Sequence, residues 1–375
     1  MITIGILLNI TSPFSRRIVE SFLRPDFRVV VIYLSSRSRS YIKKQKNQIK
    51  KFSELISNYH GKVIDISLPN LSHLDYFLAG KKLKKITKEH KLDAIFSLYG
   101  GGFALSTYLS KFRPYFLYLL GSDVLRTNYL TAGIGKKTYS AAEKIFVNGK
   151  YLLKTAREKF GLKNCQLVYI GVNTQKFRPT KKFPDKINLI STRGFLPVYN
   201  NEYIIRALSH LKKSKNINKI IFAADGSNLN RAKKLAGEIL LEDIHQKVKF
   251  LGGIDQNEMV KCLQDSSVFV SVSKSDGQAI SLMEAMACGV FPILSDIPAN
   301  REWIKPKWKN GIIVPLGQPE KLAAVIEIAV SDEKLRRNAA KINRKIAIDH
   351  FDSKKNLDVV VEEIRIIIKK TKTDL

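Results

Sequence analysis

The sequence predicts an α/β protein built from two doubly wound domains. Short β-branched runs alternate with helix-patterned stretches along the whole chain, which is typical of parallel sheets covered by helices. The 375 residues, 45% of them hydrophobic, are enough to fill two cores. A polar stretch at 178–186, which contains Pro179 and Pro184, interrupts the alternation and predicts a linker.

The predicted strands fall into two series, one on each side of this linker. Those of the first domain are 2–8, 28–34, 62–66, 93–98, 115–120, 144–147 and 166–170. Those of the second are 187–192, 219–224, 247–251, 267–272, 291–295 and 312–314. We therefore expect domains at 1–180 and 187–350, with a final helix at about 354–375 folding back onto the first. Ligands of such sheets bind beyond the carboxyl ends of the strands, here in a central cleft that the two domains face.

The formal net charge of +31 is concentrated in the first half of the chain. Residues 1–180 contain 31 Lys and Arg against 10 Asp and Glu. Such a field attracts phosphates, whether these belong to nucleic acid, to anionic lipid head groups or to a lipid diphosphate. A lysine-rich proteome whose surface lysines only solvate the protein is the alternative explanation.

Compartment signals favour the cytoplasm. The three cysteines are too few and too scattered for a disulfide framework or a metal site. The first residues lack a basic segment and a cleavage site typical of a signal peptide, and no apolar run approaches the roughly 18 residues of a membrane span. We expect a cytoplasmic protein without a transmembrane helix, and peripheral association with the inner membrane face is left open.

The stretch 41–59 has the pattern of a basic amphipathic helix. Its apolar positions recur at helical spacing and are Ile42, Ile49, Phe52, Ile56 and Tyr59. Lysines fill much of the remainder: Lys43, Lys44, Lys46, Lys50 and Lys51. The pattern fits a helix lying on an anionic membrane, and it fits equally a surface helix that packs its apolar stripe on the sheet.

The segment 273–289 carries the strongest chemical signal. It follows a predicted strand, passes a glycine-containing loop, opens a helix at about Ser281 and closes it at Gly289. The backbone N–H groups of 277–282 would be unpaired donors at a helix N-terminus, where a phosphate fits. Asp276 and Glu284 could grip hydroxyls at two ends of one ligand. Glu284 could instead close a capping box with Ser281, and Asp276 could be only a turn residue.

The ordered motifs of the chain resemble those of the retaining glycosyltransferases of family four. Asp276-Gly277 through Glu284-Ala285-Met286-Ala287 and Gly289 resembles the family's E-x7-E signature, with Asp in place of the first Glu. Further similar residues follow the same order over about 200 residues: Gly121-Ser122-Asp123, Val147-Asn148-Gly149, Gly171-Val172-Asn173, Asp225-Gly226, Phe250-Leu251-Gly252, Glu258-Met259, Asn310-Gly311, Pro319-Glu320 and Leu322-Ala323. The resemblance implies the GT-B fold of two Rossmann-like domains.

The resemblance also implies roles for particular residues. Glu284 would bind the ribose of the nucleotide, and Asp276 would hold the hydroxyls of the donor sugar. The loop and helix start that complete the substrate site are Gly277, Gln278, Ala279, Ile280, Ser281 and Leu282. Arg193 would clamp the diphosphate. The family's second clamp, a lysine six residues later, is replaced here by Tyr199, unless Lys274 substitutes for it.

A histidine near the sugar, common in the family, has no counterpart in this sequence between His90 and His210. Asp123, after the strand 115–120, is the nearest candidate for a catalytic group, with a helix N-cap as the alternative. Gly100-Gly101-Gly102 could admit a ligand close to the backbone or could be a simple turn.

The implied activity is retaining transfer of a hexose from a nucleotide sugar to a lipid-linked or polysaccharide hydroxyl. No Asp-x-Asp triplet occurs, so we expect no metal and no other cofactor. The expected partners are the nucleotide sugar, the acceptor and an anionic membrane surface. Two alternatives remain: a non-catalytic GT-B partner subunit, and a basic nucleic-acid-binding protein. The second is disfavoured because no zinc, RNP or KH-like motif appears and aromatics do not interleave with the basic clusters.

Overall fold

The structure, a computed structural model, describes residues 1–12, 14–36, 39–69, 75–180, 183, 186–212 and 215–373, with side chains for all of these except 36 and 39–44. The chain divides into two compact units. The first is Met1–Ile170 together with Ser353–Leu375, and the second is Gly171–Asp352. The change of unit therefore comes a few residues before the predicted linker, whose Pro184 lies outside the described residues.

The first unit alternates strands and helices, as predicted. Its strands are β1 Ile2–Leu8, β2 Phe27–Ser36, β3 Lys62–Leu68, β4 Ala94–Leu98, β5 Tyr115–Leu119, β6 Lys144–Val147 and β7 Cys165–Leu167. Its helices are α1 Ser15–Ser21, α2 Arg39–Ile56, α3 Asp75–Glu89, α4 Gly101–Leu109, α5 Ser122–Leu125, α6 Tyr129–Ser140 and α7 Lys150–Phe160, with a 3-10 turn at Ser57–Tyr59. The strands β1, β4 and β5 are buried along their whole length, because their side chains are apolar on both faces.

The second unit repeats the alternation. Its strands are β8 Ile187–Ser191, β9 Ile217–Phe222, β10 Val248–Phe250, β11 Val268–Ser271, β12 Phe291–Ser295 and β13 Ile312–Val314. Its helices are α8 Asn201–Leu208, α9 Leu229–Ile239, α10 Glu242–His245, α11 Gln256–Gln264, α12 Ile280–Ala287, α13 Pro298–Arg301, α14 Pro319–Ser331 and α15 Glu333–His350. The last helix of the chain is α16, Ser353–Thr373.

Both sheets are parallel over the described residues and reverse their direction of winding once. The strand order is β3-β2-β1-β4-β5-β6-β7 in the first unit and β10-β9-β8-β11-β12-β13 in the second. The reversal lies between β1 and β4 in one sheet and between β8 and β11 in the other. In doubly wound sheets the crevice beyond these strands is where ligands bind.

The helix α16 belongs to the first unit, where it buries an apolar stripe that includes Leu357, Val361 and Ile364. Arg24 pairs with Asp358 in this packing. The two passages of the chain between the units lie side by side, because Val172 forms a parallel bridge with Asp352.

The helix α2 packs its apolar stripe on the first sheet. Phe52 and Ile56 are buried, and the helix contacts β2 and β3. Lys46, Lys50 and Lys51 are exposed, whereas the side chains of 41–44, including Lys43 and Lys44, lie outside the description. Phe52 and Ile56 are therefore used by the core, whereas the side chain of Ile42 lies outside the description. None of the helices in the described ranges is both long and apolar enough to cross a bilayer.

Candidate active site

Arg193 and Asp276 meet at the carboxyl edge of the second sheet. Arg193 lies two residues beyond the end of β8, and Asp276 lies in the loop between β11 and α12. Since β8 and β11 are neighbours at the reversal of winding, their loops leave the sheet side by side. Residues that are 83 positions apart in sequence are thereby brought into contact.

The Arg193 guanidinium has three neighbours in this site. Its Nη2 donates to Asp276 Oδ2 over 2.5 Å, and its Nη1 donates to Ser281 Oγ over 3.2 Å. Its Cζ lies 3.9 Å from the centroid of the Tyr199 ring. The Arg193 side chain is only 10% exposed and that of Asp276 16%. A charge-assisted hydrogen bond in such a partly buried site is stronger than a surface ion pair, so the guanidinium has a fixed orientation.

The backbone that carries Arg193 is also held in place. The buried Asn201 side chain donates to the carbonyl oxygens of Arg193 and Gly194, over 2.9 and 3.1 Å. Ser191 Oγ lies 3.1 Å from Asn201 Oδ1. The Nε of Arg193 is buried and has no hydrogen-bond partner among the described residues. A buried N–H that is left unpaired is costly, so this cation has unused capacity for an acceptor.

Tyr199 and Lys274 occupy the positions considered for a second cation. Tyr199 supplies an aromatic face instead of a charge, and a stacked guanidinium gains about 0.5 to 2 kcal/mol from such contact. Lys274 is exposed, and its backbone N–H donates to the Val198 carbonyl over 2.8 Å. That hydrogen bond joins the loop after β11 to the loop that carries Tyr199.

The start of α12 is not capped by a side chain. The helix begins at Ile280, its N-cap is Ala279, and no side-chain cap hydrogen bond is formed there. Ser281 is thus the second helical residue, and its hydroxyl contacts Arg193. The capping box with Ser281 as N-cap, one of the two interpretations of Glu284, is therefore not formed. Glu284 lies one turn into the helix and is partly buried.

Gln278 is oriented by a tryptophan that sequence reasoning missed. Trp303 Nε1 donates to Gln278 Oε1 over 2.6 Å. This bond fixes the orientation of the Gln278 side-chain amide, because its oxygen and not its nitrogen faces Trp303. Gln278 is 4% exposed, and its Nε2 has no hydrogen-bond partner within the described ranges. Trp303 also packs against Phe351, with ring centroids 4.4 Å apart. No motif or spacing in the sequence connects 303 with 278.

Asp123 ties together two loops at the carboxyl edge of the first sheet. Its carboxylate accepts backbone N–H groups from Gly100 (2.9 Å), Gly121 (2.7 Å) and Leu120 (3.1 Å). The residue is 4% exposed. Burial raises the pKa of Asp123, and these N–H groups oppose that rise. Asp123 is the second residue of α5, whose N-cap is Gly121, so the N-cap alternative does not describe its contacts. Its catalytic role stays a prediction.

The glycines at 100–102 accommodate tyrosine rings. A Cβ on Gly100 would lie 2.4 Å from the hydroxyl of buried Tyr139, and a Cβ on Gly102 would lie 2.1 Å from the Tyr76 ring. Tyr139 in turn accepts the Gly101 N–H over 2.9 Å. The space that these glycines leave is thus occupied by the protein's own tyrosine side chains.

Among the described residues there is no group of three or more His, Cys, Asp and Glu side chains that could hold a metal ion. All three cysteines are free thiols, and Cys165 and Cys288 are buried.

The two-unit architecture is that of known GT-B glycosyltransferases. A glycosyltransferase from Rickettsia africae superimposes with a TM-score of 0.77 at 16% identity, covering 98% of this chain and 99% of that one. The HepE protein of Anabaena, solved in complex with UDP and glucose, gives a TM-score of 0.77 at 15% identity, covering 97% of this chain and 100% of that one. At these identities the likeness defines the fold.

The family follows from the sequence of the second unit. Residues 172–346 match the family described as glycosyl transferases group 1, and this span is nearly the whole of that unit. Over this span the second unit matches the group 1 glycosyltransferases. A GDP-mannose-dependent monoacylated alpha-(1-6)-phosphatidylinositol monomannoside mannosyltransferase of Corynebacterium glutamicum is 24% identical over 210 residues, 51% of this chain and 53% of that protein. The matched region thus spans about half the length of this curated relative.

We expect Asp123→Ala to destabilise the first unit by roughly 3 kcal/mol or more, because three backbone N–H groups lose their buried acceptor. Urea denaturation followed by circular dichroism measures the loss. Asp225→Ala is the control: Asp225 Oδ1 accepts the backbone N–H of Gly226, and loss of this bond should cost about 1 kcal/mol. Unchanged stability of the Asp123 variant together with lost turnover would instead identify a reacting group.

Proposed function

We propose that this protein is a retaining glycosyltransferase that moves a hexose from a nucleotide-sugar donor to a hydroxyl of a lipid-linked or polysaccharide acceptor. The observation that carries the proposal is the Arg193 guanidinium, fixed against Asp276 and Ser281 beside the uncapped start of α12. The group 1 family match of the second unit supports it.

In the proposed reaction the chain stabilises the negative charge that grows on the departing nucleoside diphosphate. Arg193 supplies a cation whose orientation is fixed before the donor arrives. The first N–H groups of α12 supply further donors, and the helix dipole favours an anion at that end. Preorganised donors of this kind are commonly the largest single contribution to catalysis of such group transfers. The acceptor hydroxyl attacks the same face of the sugar from which the diphosphate leaves.

Glu284 and Asp276 are proposed to recognise the two ends of the donor. Glu284 would accept hydrogen bonds from the ribose hydroxyls. Asp276, with the loop from Gly277 to Ile280, would hold hydroxyls of the sugar. Gln278 fits this part of the site, because Trp303 leaves its Nε2 as a buried donor without a partner among the described residues.

The acceptor is proposed to be lipid-linked or part of a surface polysaccharide, and to be bound by the first unit. Support comes from the excess of Lys and Arg in residues 1–180, which suits a diphosphate or an anionic head group. The name of the Corynebacterium relative gives it GDP-mannose and a phosphatidylinositol mannoside, and HepE was solved with UDP and glucose. We carry only these chemical classes to this chain, together with peripheral association on the inner membrane face.

The proposal is tested by donor binding and turnover of the purified chain. A nucleotide sugar or nucleoside diphosphate at 100 times its Kd should stabilise the protein by about 2.7 kcal/mol. Screening UDP, GDP and ADP sugars by thermal shift, then assaying sugar transfer and donor hydrolysis, identifies the donor. We expect activity to persist in EDTA, since no metal is proposed. Binding without turnover would favour the non-catalytic partner subunit, and no binding of any donor would refute the proposal.

Arg193→Ala should lower kcat/KM by at least roughly 100-fold, because a preorganised charge at the leaving group is lost. The matched control is Arg337→Ala, which removes an arginine that pairs with Glu333 on the exposed face of α15. Its effect on kcat/KM should be less than threefold. A loss of less than threefold in the Arg193 variant would remove this residue from the site.

Glu284→Gln should reduce donor affinity and turnover while the melting temperature hardly changes. The glutamine keeps the size of the side chain but weakens a charge-assisted hydrogen bond to ribose hydroxyls. Isothermal calorimetry with the nucleoside diphosphate and a thermal melt separate the two effects. A fall in stability with intact donor affinity would show that Glu284 is a structural residue of α12.

A further inference from the structure

Several exposed apolar side chains of the first unit are grouped at the starts of two helices. Tyr129 and Leu130 in the first turn of α6 are 94% and 76% exposed, and Ile134 follows one turn later. Phe77 and Leu78 in the first turn of α3 are also exposed. Single exposed apolar residues are ordinary, but aromatic and aliphatic side chains grouped on neighbouring elements indicate an interaction surface.

The two helix starts lie on one face and at one edge of the first sheet. The helix α4 packs against both α3 and α6, so the three form one layer. Each of them follows a strand, β3, β4 or β5, whose carboxyl end therefore lies at the same edge of the sheet. This is the edge beyond which doubly wound sheets bind their ligands. We call Phe77, Leu78, Tyr129, Leu130 and Ile134 the apolar rim.

A band of lysines follows the apolar rim along the same helix faces. Lys81 comes four residues after Phe77, and Lys137 comes seven residues after Leu130, so each pair shares a helix face. Lys81, Lys136 and Lys137 are exposed. At 1.5 Å per residue Lys81 stands about 6 Å behind Phe77, and Lys137 about 10 Å behind Leu130, along their helix axes. The helix α6 contains no acidic residue.

We propose that the apolar rim inserts into an anionic lipid bilayer while the lysine band contacts the head groups. Interfacial segments bury their apolar side chains about 5 to 10 Å deep, a depth that matches the spacing between rim and lysines. Tyrosine is favoured at this boundary, since its ring is apolar and its hydroxyl reaches water. Charge complementarity selects anionic lipid over an uncharged surface. The same edge would then receive a lipid-linked acceptor directly from the membrane.

The assignment moves the membrane contact away from α2. The exposed lysines of that helix, Lys46, Lys50 and Lys51, lie near Phe52 and Ile56, which are already buried on the sheet. Among the side chains that the structure describes, α3 and α6 combine exposed lysines with exposed large apolar residues. The inference deepens the proposed function by naming its membrane surface. It is tested without a donor, so that failure of catalysis and failure of membrane binding are separate results.

Vesicle sedimentation tests the proposal with the full chain. We expect binding to phosphatidylcholine vesicles that contain about a third phosphatidylglycerol, weak binding to pure phosphatidylcholine, and release as salt shortens the screening length below about 8 Å. Tyr129→Ser with Leu130→Ser should weaken partitioning at least about tenfold, because two inserting side chains lose their apolar surface. Leu241→Ser in the second unit, which removes a leucine 65% exposed, should bind like the wild type.

The lysines are tested in matched triples. Lys81→Gln, Lys136→Gln and Lys137→Gln together should weaken partitioning about 100-fold, since each basic residue near an anionic surface contributes about fivefold. The control triple on α2, Lys46→Gln, Lys50→Gln and Lys51→Gln, removes the same charge and should weaken it far less. Circular dichroism and thermal melts without added ligand check that every variant is folded.

Three outcomes would overturn the proposal. The wild type could fail to bind anionic vesicles, which would indicate that the apolar rim binds a protein partner instead of lipid. The rim variant could bind as well as Leu241→Ser. The α2 triple variant could lose as much binding as the α3 and α6 triple variant. Membrane binding would then depend on the overall positive charge of the first unit and not on the lysine band.

Discussion

The geometry of the candidate active site in the second unit depends on the ion pair between Arg193 and Asp276. This pair forms because β8 and β11 are adjacent where the winding of the sheet reverses. It fixes one edge of the guanidinium, Ser281 takes another donor, and Tyr199 covers the face. A cation held in this way needs no reorganisation when an anion arrives, and this is the property that electrostatic catalysis requires.

The two residues that depart from the family pattern, Asp276 and Tyr199, both contact Arg193 in this site. Asp276 has a shorter side chain than the Glu of the signature, yet it reaches Arg193 Nη2. Tyr199 replaces a lysine and stacks on the same guanidinium. In the proposed diphosphate clamp, Tyr199 would therefore orient the guanidinium instead of adding a second charge. Arginine suits this role because its planar group can stack and donate at the same time.

The strands and the fold class could be predicted because buried parallel strands have continuous apolar sequences. Arg193 could be placed at a strand end for the same reason. Its partner could not, since contact between 193 and 276 depends on the strand order, which periodicity does not encode. Trp303 lies after the next strand, and its bond to Gln278 depends on tertiary packing. Asp123 was identified as a polar residue in a suitable loop, but its three backbone contacts are visible only in the structure.

We expect Arg193 to bind a diphosphate through donors that Asp276 does not use, such as the buried Nε, while Asp276 holds the sugar. Calorimetry of UDP and GDP binding to Asp276→Ala separates these two roles. Removing this carboxylate should leave nucleoside diphosphate binding unchanged or tighter, because a negative charge near the phosphates is lost while Ser281 and Tyr199 still hold the arginine. Sugar transfer by the same variant should fall. A loss of diphosphate affinity as large as that of Arg193→Ala would show instead that diphosphate binding depends on the ion pair.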